Sequence, residues 1–418
     1  MRVALIGPAH PYKGGGARHT TELARRLAEA GHDVVLESWR HQYPAGLYPG
    51  GRQTVDVPDG EPFPNTRQDL SWANPASWWR AGRRLRDADL VAFALMIPPQ
   101  AVPYLGIMTA MRGASRRVRD TSPPPRTVVI CHNVLPHESR PADKQLTQWL
   151  LRSAGGALTH SAEEAARART LAPEALVTAA RMPPHLPAAG PAAPLVDQAA
   201  FASRRSRTPV PAPGSCHLLF FGIVRPYKGL DVLLRALARA PEQLTLTVAG
   251  EFWGGTAATE QLIAELGLAH RVTLRPGYVP AGQIPDLFAA ADVLVLPYRE
   301  ATASQNAQLA FAHGVPVITT TAGALAEHVR DGVNGLTCAP GDVTDLARAL
   351  TAVSAAGEVT RLRAGIAPVD PEPAWAAYVQ VLAGLACRSR AQSPPRQSRR
   401  SSSPPAKPAP PPARTLTT

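Results

Sequence analysis

The stretch MRVALIGPAHPYKGGGARHTTELARRLAEAGHDVVL, residues 1–36, decides how the chain is built. Met1 to Gly7 is an apolar run ending on glycine, the pattern of a parallel strand buried on both faces. A loop from Pro8 to Gly16 follows and closes on Gly14-Gly15-Gly16. Between His19 and Ala30, the residues Leu23, Leu27 and Ala30 recur on one helical face, and Gly31 supplies a C-terminal stop. Asp33 to Leu36 is strand-like again. Strand, loop, helix and strand in so short a span form the repeating unit of a doubly wound α/β sheet.

Working outward, the same half carries further strands at Leu90 to Leu95, Thr127 to Cys131 and Ala157 to His160. Ser161 follows as a helix N-cap, with Glu163 and Glu164 in the first turn. Residues 186–213 are rich in Pro, Ala and Ser and have little apolar periodicity, so they read as a linker. The pattern then restarts. Strands are expected at His217 to Gly222, Leu244 to Ala249, Val272 to Leu274, Val293 to Leu296, Pro316 to Thr319 and Gly335 to Cys338. Helices are expected at Leu230 to Ala240, Thr259 to Leu266, Ile284 to Ala290, Gln305 to Ala312, Leu325 to Val329 and Val343 to Ala352. Such alternation predicts a second parallel sheet covered by helices. Pro373 to Cys387 is a last helix, with Trp375, Tyr378, Val379 and Leu382 at helical spacing. The division expected is residues 1–185 as a first domain, 186–213 as linker and 214–372 as a second domain. Residues 388–418, Pro/Ser-rich and basic, are expected to be disordered.

The net charge of +12 invites a nucleic-acid reading, but seven of the excess positive charges sit in the acid-free stretch from Arg388 to the end. The remaining excess is modest, and no basic helix is interleaved with aromatics, so no nucleic-acid partner is expected. The four cysteines lie far apart and form no C-x-x-C pair, which argues against a zinc knuckle or a disulfide framework. No apolar run approaches the roughly 20 residues of a membrane span. No leader-like N-terminus is evident. A cytoplasmic setting is therefore expected, with peripheral contact at the inner membrane face as the less favoured alternative to a purely structural role for two segments. That contact is suggested by Trp72, Trp78 and Trp79 beside Arg80, Arg83, Arg84 and Arg86, and by Met108 and Met111 before Arg112, Arg116, Arg117 and Arg119. Ordinary core beneath solvated helix faces is the competing reading of both segments.

The second half resembles the retaining GT-B glycosyltransferases of family 4. The matching residues are FFGIVRPYKGLDVLLRAL (220–237), VAGE (248–251), RVTLRPGYVPAGQIPDLFAAADVLVLPYRE (271–300) and HGVPVITTTAGALAEHVRDGVNGLTCAPGD (313–342). The glycine loop, GHDVV (31–35) and CHNVLPHE (131–138) resemble the family's first domain. The resemblance implies two Rossmann-like domains facing a cleft, with the acceptor mainly on the first and a sugar nucleotide on the second. It also implies that the last helix crosses back onto the first domain. The activity implied is transfer of a hexose from a nucleoside diphosphate sugar to a hydroxyl acceptor with retention, without a metal or other cofactor. A non-catalytic sugar-nucleotide-binding protein and a GT-B sugar-nucleotide epimerase remain open as alternatives.

Departure of a diphosphate needs cations and N–H dipoles at the leaving group. The resemblance places Lys228 in that role, with Arg225 as the nearest arginine, since Gly222 is followed by Ile223 where the family has arginine. Gly14, Gly15 and Gly16 precede a helix N-terminus and leave room for a phosphate. Glu300 is the carboxylate expected to hold donor hydroxyls. The family's second glutamate falls at Leu309, and the first position is Ala301, beside Glu300. Ser304 stands where the family often has glycine, before a helix whose first amides are expected to point at the diphosphate. His132 ends a strand at the carboxyl edge, where open α/β sheets bind ligands, and the family places a functional histidine there, near the reacting sugar. Glu251, Tyr278 and Val279 are expected around the nucleotide. His10 and His19 flank the glycine loop and read more readily as surface polar residues.

Overall fold

The computed structural model describes residues 1–42, 52–56, 60–115, 124–136, 140–186, 215–301 and 304–388. The linker, residues 302 and 303, the tail from 389, Glu138 and the arginines at 116, 117 and 119 lie outside the described residues, apart from Leu186 at the linker's edge.

The first half folds into seven strands: β1 (Arg2–Ile6), β2 (Asp33–His41), β3 (Thr66–Ser71), β4 (Leu90–Leu95), β5 (Arg126–Cys131), β6 (Gly156–Thr159) and β7 (Leu176–Ala179). Their order is β3-β2-β1-β4-β5-β6-β7, and every pair is parallel. The second half adds β8 (Cys216–Phe221), β9 (Leu244–Gly250), β10 (Val272–Pro276), β11 (Val293–Leu296), β12 (Val317–Thr320) and β13 (Gly335–Cys338). This sheet runs β10-β9-β8-β11-β12-β13, again all parallel. Both sheets reverse their winding in the middle, between β1 and β4 and between β8 and β11. Loops at such a switch point diverge to opposite faces and leave a crevice beyond the strand carboxyl ends.

Burial explains why these segments are strands. Leu90 to Leu95 is inaccessible throughout, as a strand covered on both faces must be. Apolar residues from the two faces of the second sheet divide between a cluster containing Phe220, Leu233 and Leu350 and another containing Leu219, Phe288 and Leu294. The strand expected at Ala157 to His160 stops at Thr159, and His160 stands just beyond its end. Strands β3 and β7 were not apparent in the sequence. In β3 only Leu70 is buried, and β7 is four residues long. Edge strands bury little, so their apolar pattern is weak.

The final helix, Glu372–Arg388, packs on the first sheet's helix Gly15–Glu29 and on β5. Trp375, Tyr378, Leu382 and Leu385 join the core of Val3, Leu5 and Leu27. At its start, the Arg26 guanidinium donates to both Glu372 carboxylate oxygens, at 2.6 and 2.7 Å. Met108 and Met111 belong to the core, which removes them from any membrane-facing surface. Trp72 and Trp79 are exposed, whereas Trp78 is half-buried and donates its Nε1–H to the Ser71 carbonyl at 2.7 Å. Among the described residues, no helix is long and apolar enough to cross a membrane.

Candidate active site

The loop after β1 turns into helix Gly15–Glu29 through Gly14, whose φ of 95° suits glycine. A Cβ added at Gly14 or Gly15 would meet nothing within 4 Å, so this part of the loop is open to a ligand. Gly16 differs. A Cβ there would come within 2.6 Å of Met96 Sδ, beyond β4, so Gly16 packs against that flexible side chain rather than facing open space.

In the second sheet, the equivalent edge is built from the ends of β8 and β11. Gly229 holds φ 67°, and a Cβ would lie 2.1 Å from the Pro297 carbonyl oxygen. That close approach tucks the Pro226–Lys228 turn against the loop after β11. Lys228 Nζ sits 4.9 Å from the centre of the Tyr298 ring. Burial disfavours the ammonium, but the contacts with Tyr298 and Tyr227 outweigh it and raise its pKa, so the lysine remains a cation. Lys228 Nζ and Asn306 Nδ2 both border Gly222, lying 3.6 and 3.4 Å from where its Cβ would be. Asn306 also donates to the Phe221 carbonyl at 2.9 Å. A cation, an amide donor and a side-chain-free glycine thus converge at one strand end.

The other expected residues fall around this point unevenly. Arg225 lies with its guanidinium 4.6 Å from the centre of the Trp253 ring, stacked beside the turn. Its neighbour in kind, Arg299, is engaged in a two-pronged pair with Asp231 at 2.8 and 2.6 Å. Glu300 is exposed at the lip. Ser304 Oγ accepts from Asn306 N–H at 3.3 Å, before helix Asn306–Ala312. Leu309 is 6% exposed and belongs to the apolar cluster of Phe288 and Leu294, so the position resembling the second glutamate is core here. Val279 packs on the same cluster.

The two edges meet. A Cβ at Gly250 would lie 1.8 Å from the Gly222 carbonyl oxygen, which brings the end of β9 against that of β8. The next residue, Glu251, accepts from Lys13 Nζ of the glycine loop at 2.5 Å. The same ammonium lies 5.3 Å from the centre of the Tyr278 ring. Gln305 adds a second crossing: its Oε1 accepts from His185 N–H at 3.2 Å. Lys13 and His185 thus each join the first half to a loop beyond a strand end of the second.

On the first-sheet side, His132 follows β5 and its N–H donates to the Leu95 carbonyl at 3.1 Å. Ser161 caps the next helix, as expected, and buried Glu164 reaches back to accept from Val134 N–H at 2.6 Å, which fixes the turn bearing His132. The His132 ring packs 4.9 Å from both His19 and His160, centre to centre. His19 is fully buried, contrary to its expected surface place, because the final helix covers it with Trp375 and Tyr378.

Comparison with known proteins agrees with this architecture. Residues 13–178 match the family model described as Glycosyltransferase Family 4, and residues 215–355 match the model described as Glycosyl transferases group 1. Among solved structures, the Anabaena protein HepE in complex with UDP superposes with a TM-score of 0.67 at 16% identity, covering 92% of this chain and 100% of that one. The chain has the GT-B fold.

Curated relatives of this GT-B chain include the D-inositol 3-phosphate glycosyltransferase of Mycobacterium sp. (strain KMS), 34% identical over 160 residues. That match covers 37% of this chain, which spans only 36% of that relative's length. The glycogen synthase of Mycobacterium tuberculosis (strain CDC 1551 / Oshkosh) is 28% identical over 400 residues, covering 84% of this chain and 86% of that protein. Sequence reasoning passed over Lys13, Asn306, Tyr298, His160 and His185 around these strand ends. Their one-dimensional signal is weak, since each lies in a loop or at an element end and acquires meaning only from a distant partner.

Proposed function

We propose that the chain transfers a hexose from a nucleoside diphosphate sugar to a hydroxyl acceptor, with retention at the anomeric carbon. The observation that carries this reading is the Lys13–Glu251 pair, which joins the loop of open glycines at a helix N-terminus to the end of β9, beside the β8 edge where Lys228 borders Gly222. Backbone N–H dipoles and a fixed ammonium suit a diphosphate, and they need no reorganisation as charge builds on it. Lys228 is assigned to the departing phosphate, with Arg225 beside it. Glu300 is assigned to donor hydroxyls, Glu251, Tyr278 and Val279 to the nucleotide, and His132 to the sugar. The reading requires no metal at the diphosphate and no other cofactor. Relatives solved with UDP and with ADP support a nucleotide donor without choosing its base.

The test is release of nucleoside diphosphate by the full chain, offered UDP, GDP and ADP sugars with sugar, polyol and glycolipid acceptors. Acceptor-dependent release supports transfer. Release with no acceptor supports the epimerase alternative. The buried Leu309 in place of a carboxylate favours one other reading, a sugar-nucleotide-binding protein without turnover. Donor binding with no release under any pairing would overturn transfer in its favour.

A further inference from the structure

Four histidines from separate parts of the first half converge at the carboxyl ends of β5 and β6. His19 comes from helix Gly15–Glu29, His132 from the end of β5, His160 from the end of β6, and His185 from the segment after β7. The ring centres of His19 and His160 are 5.6 Å apart, and those of His19 and His185 are 5.0 Å apart. Cys131, Glu164, Arg18, Trp375 and Tyr378 border the group.

The nitrogens of these rings pose a chemical problem. His19 Nδ1 and His185 Nε2 are 2.9 Å apart and share one hydrogen bond. His19 Nε2, His132 Nε2 and His185 Nδ1 are buried without a hydrogen-bond partner; at His160 the Ala180 backbone approaches the ring without a bond of ordinary geometry. Each buried polar atom left in this state costs on the order of 1–3 kcal/mol unless water or an ion satisfies it.

We propose that His19, His132 and His160 are the ligands of a divalent transition-metal ion of the zinc type, with His185 orienting His19. One nitrogen from each of the three lies within 4.8 Å of the others. Tetrahedral coordination with metal–nitrogen bonds of about 2.0–2.1 Å draws such donors somewhat closer, a modest rotation of each ring. The donor set is imidazole only, which suits zinc, copper or nickel rather than calcium or magnesium. When His19 Nδ1–H donates to His185, the lone pair on His19 Nε2 faces the group, the arrangement by which a second residue fixes a ligand's tautomer. The site shares His132 with the residue assigned above to the sugar, and its test reads metal content and stability rather than turnover. It ties three first-sheet elements together, and through His185 and Gln305 it touches the second sheet.

The test uses the full chain without a polyhistidine tag. After dialysis against Zn²⁺ and then metal-free buffer, elemental analysis is expected to find one equivalent of zinc. Zn²⁺ is expected to raise the thermal midpoint by about 3 °C or more, reversibly with a chelator. Co²⁺ should give the visible bands of a tetrahedral site. His19→Gln and His160→Gln should each lose the metal and the thermal shift. Substoichiometric zinc with no shift in the wild-type chain would overturn the proposal, as would retention of a full equivalent by both variants. If either variant fails to fold, the wild-type stoichiometry, shift and Co²⁺ spectrum decide alone.

Discussion

Lys13 and Glu251, 238 positions apart in sequence, form an ion pair at 2.5 Å in which only 7% and 11% of the two side chains are exposed. One belongs to the glycine loop of the first sheet and the other to the end of β9. A pair this sheltered from water is screened little, and removal of one partner strands the other charge. In a double-mutant cycle, Lys13→Met and Glu251→Gln should each destabilise the chain, while the double variant recovers part of the loss. The expected coupling is about 1–3 kcal/mol by denaturant unfolding. Additive effects would show that the pair does not hold the two halves together.

Lys228 is the cation best placed for a departing diphosphate. Lys228→Ala should lower turnover about 100-fold or more, the scale of losing one preorganised charge at a transition state. Its thermal midpoint should stay close to wild type, since the side chain is only partly buried. Wild-type turnover in this variant would remove the phosphate role.

Asn306 holds the edge of β8 through the Phe221 carbonyl. Asn306→Ala leaves that carbonyl without its side-chain donor and widens the pocket beside Lys228. The expected cost is about 1 kcal/mol in stability, with a larger effect on donor KM than on the unfolding midpoint. Unchanged donor KM would separate Asn306 from the binding site.

Leu309 occupies the position of the resembling family's second glutamate. Because it lies among Phe288, Leu294 and Ala310, Leu309→Glu is expected to place a carboxylate in an apolar core. It should destabilise by about 3 kcal/mol or more without raising activity. A gain in turnover from this variant would show that the position faces donor after all.

Acid should unfold the metal-free chain early. Burial depresses the His160 pKa to about 4 and that of His185 to about 3, from a usual value near 6.5. The unfolded chain then binds more protons than the folded one across that interval. The stability is fully present above pH 6.5 and is lost as pH falls toward 4 and then 3. Each such histidine contributes a slope of about 1.4 kcal/mol per pH unit within its window. Thermal midpoints measured from pH 7.5 to 4.5 should fall steeply, and His160→Asn, if folded, should flatten the slope. A level profile across this range would contradict the buried neutral cluster.

Apolar runs separated by helix-period segments were enough to read both parallel sheets, because local chain pattern reports burial on one or two faces. The glycine loop follows a strand whose end the pattern locates, whereas Lys228 was singled out by its resemblance to the family's lysine. The partnership of Lys13 with Glu251, the core placement of Leu309 and the meeting of His19, His132, His160 and His185 were decided only by tertiary structure. Each depends on strand order and on the final helix folding back over Trp375 and Tyr378, and so on distances between residues far apart in the chain. A one-dimensional periodicity carries no information about such distances.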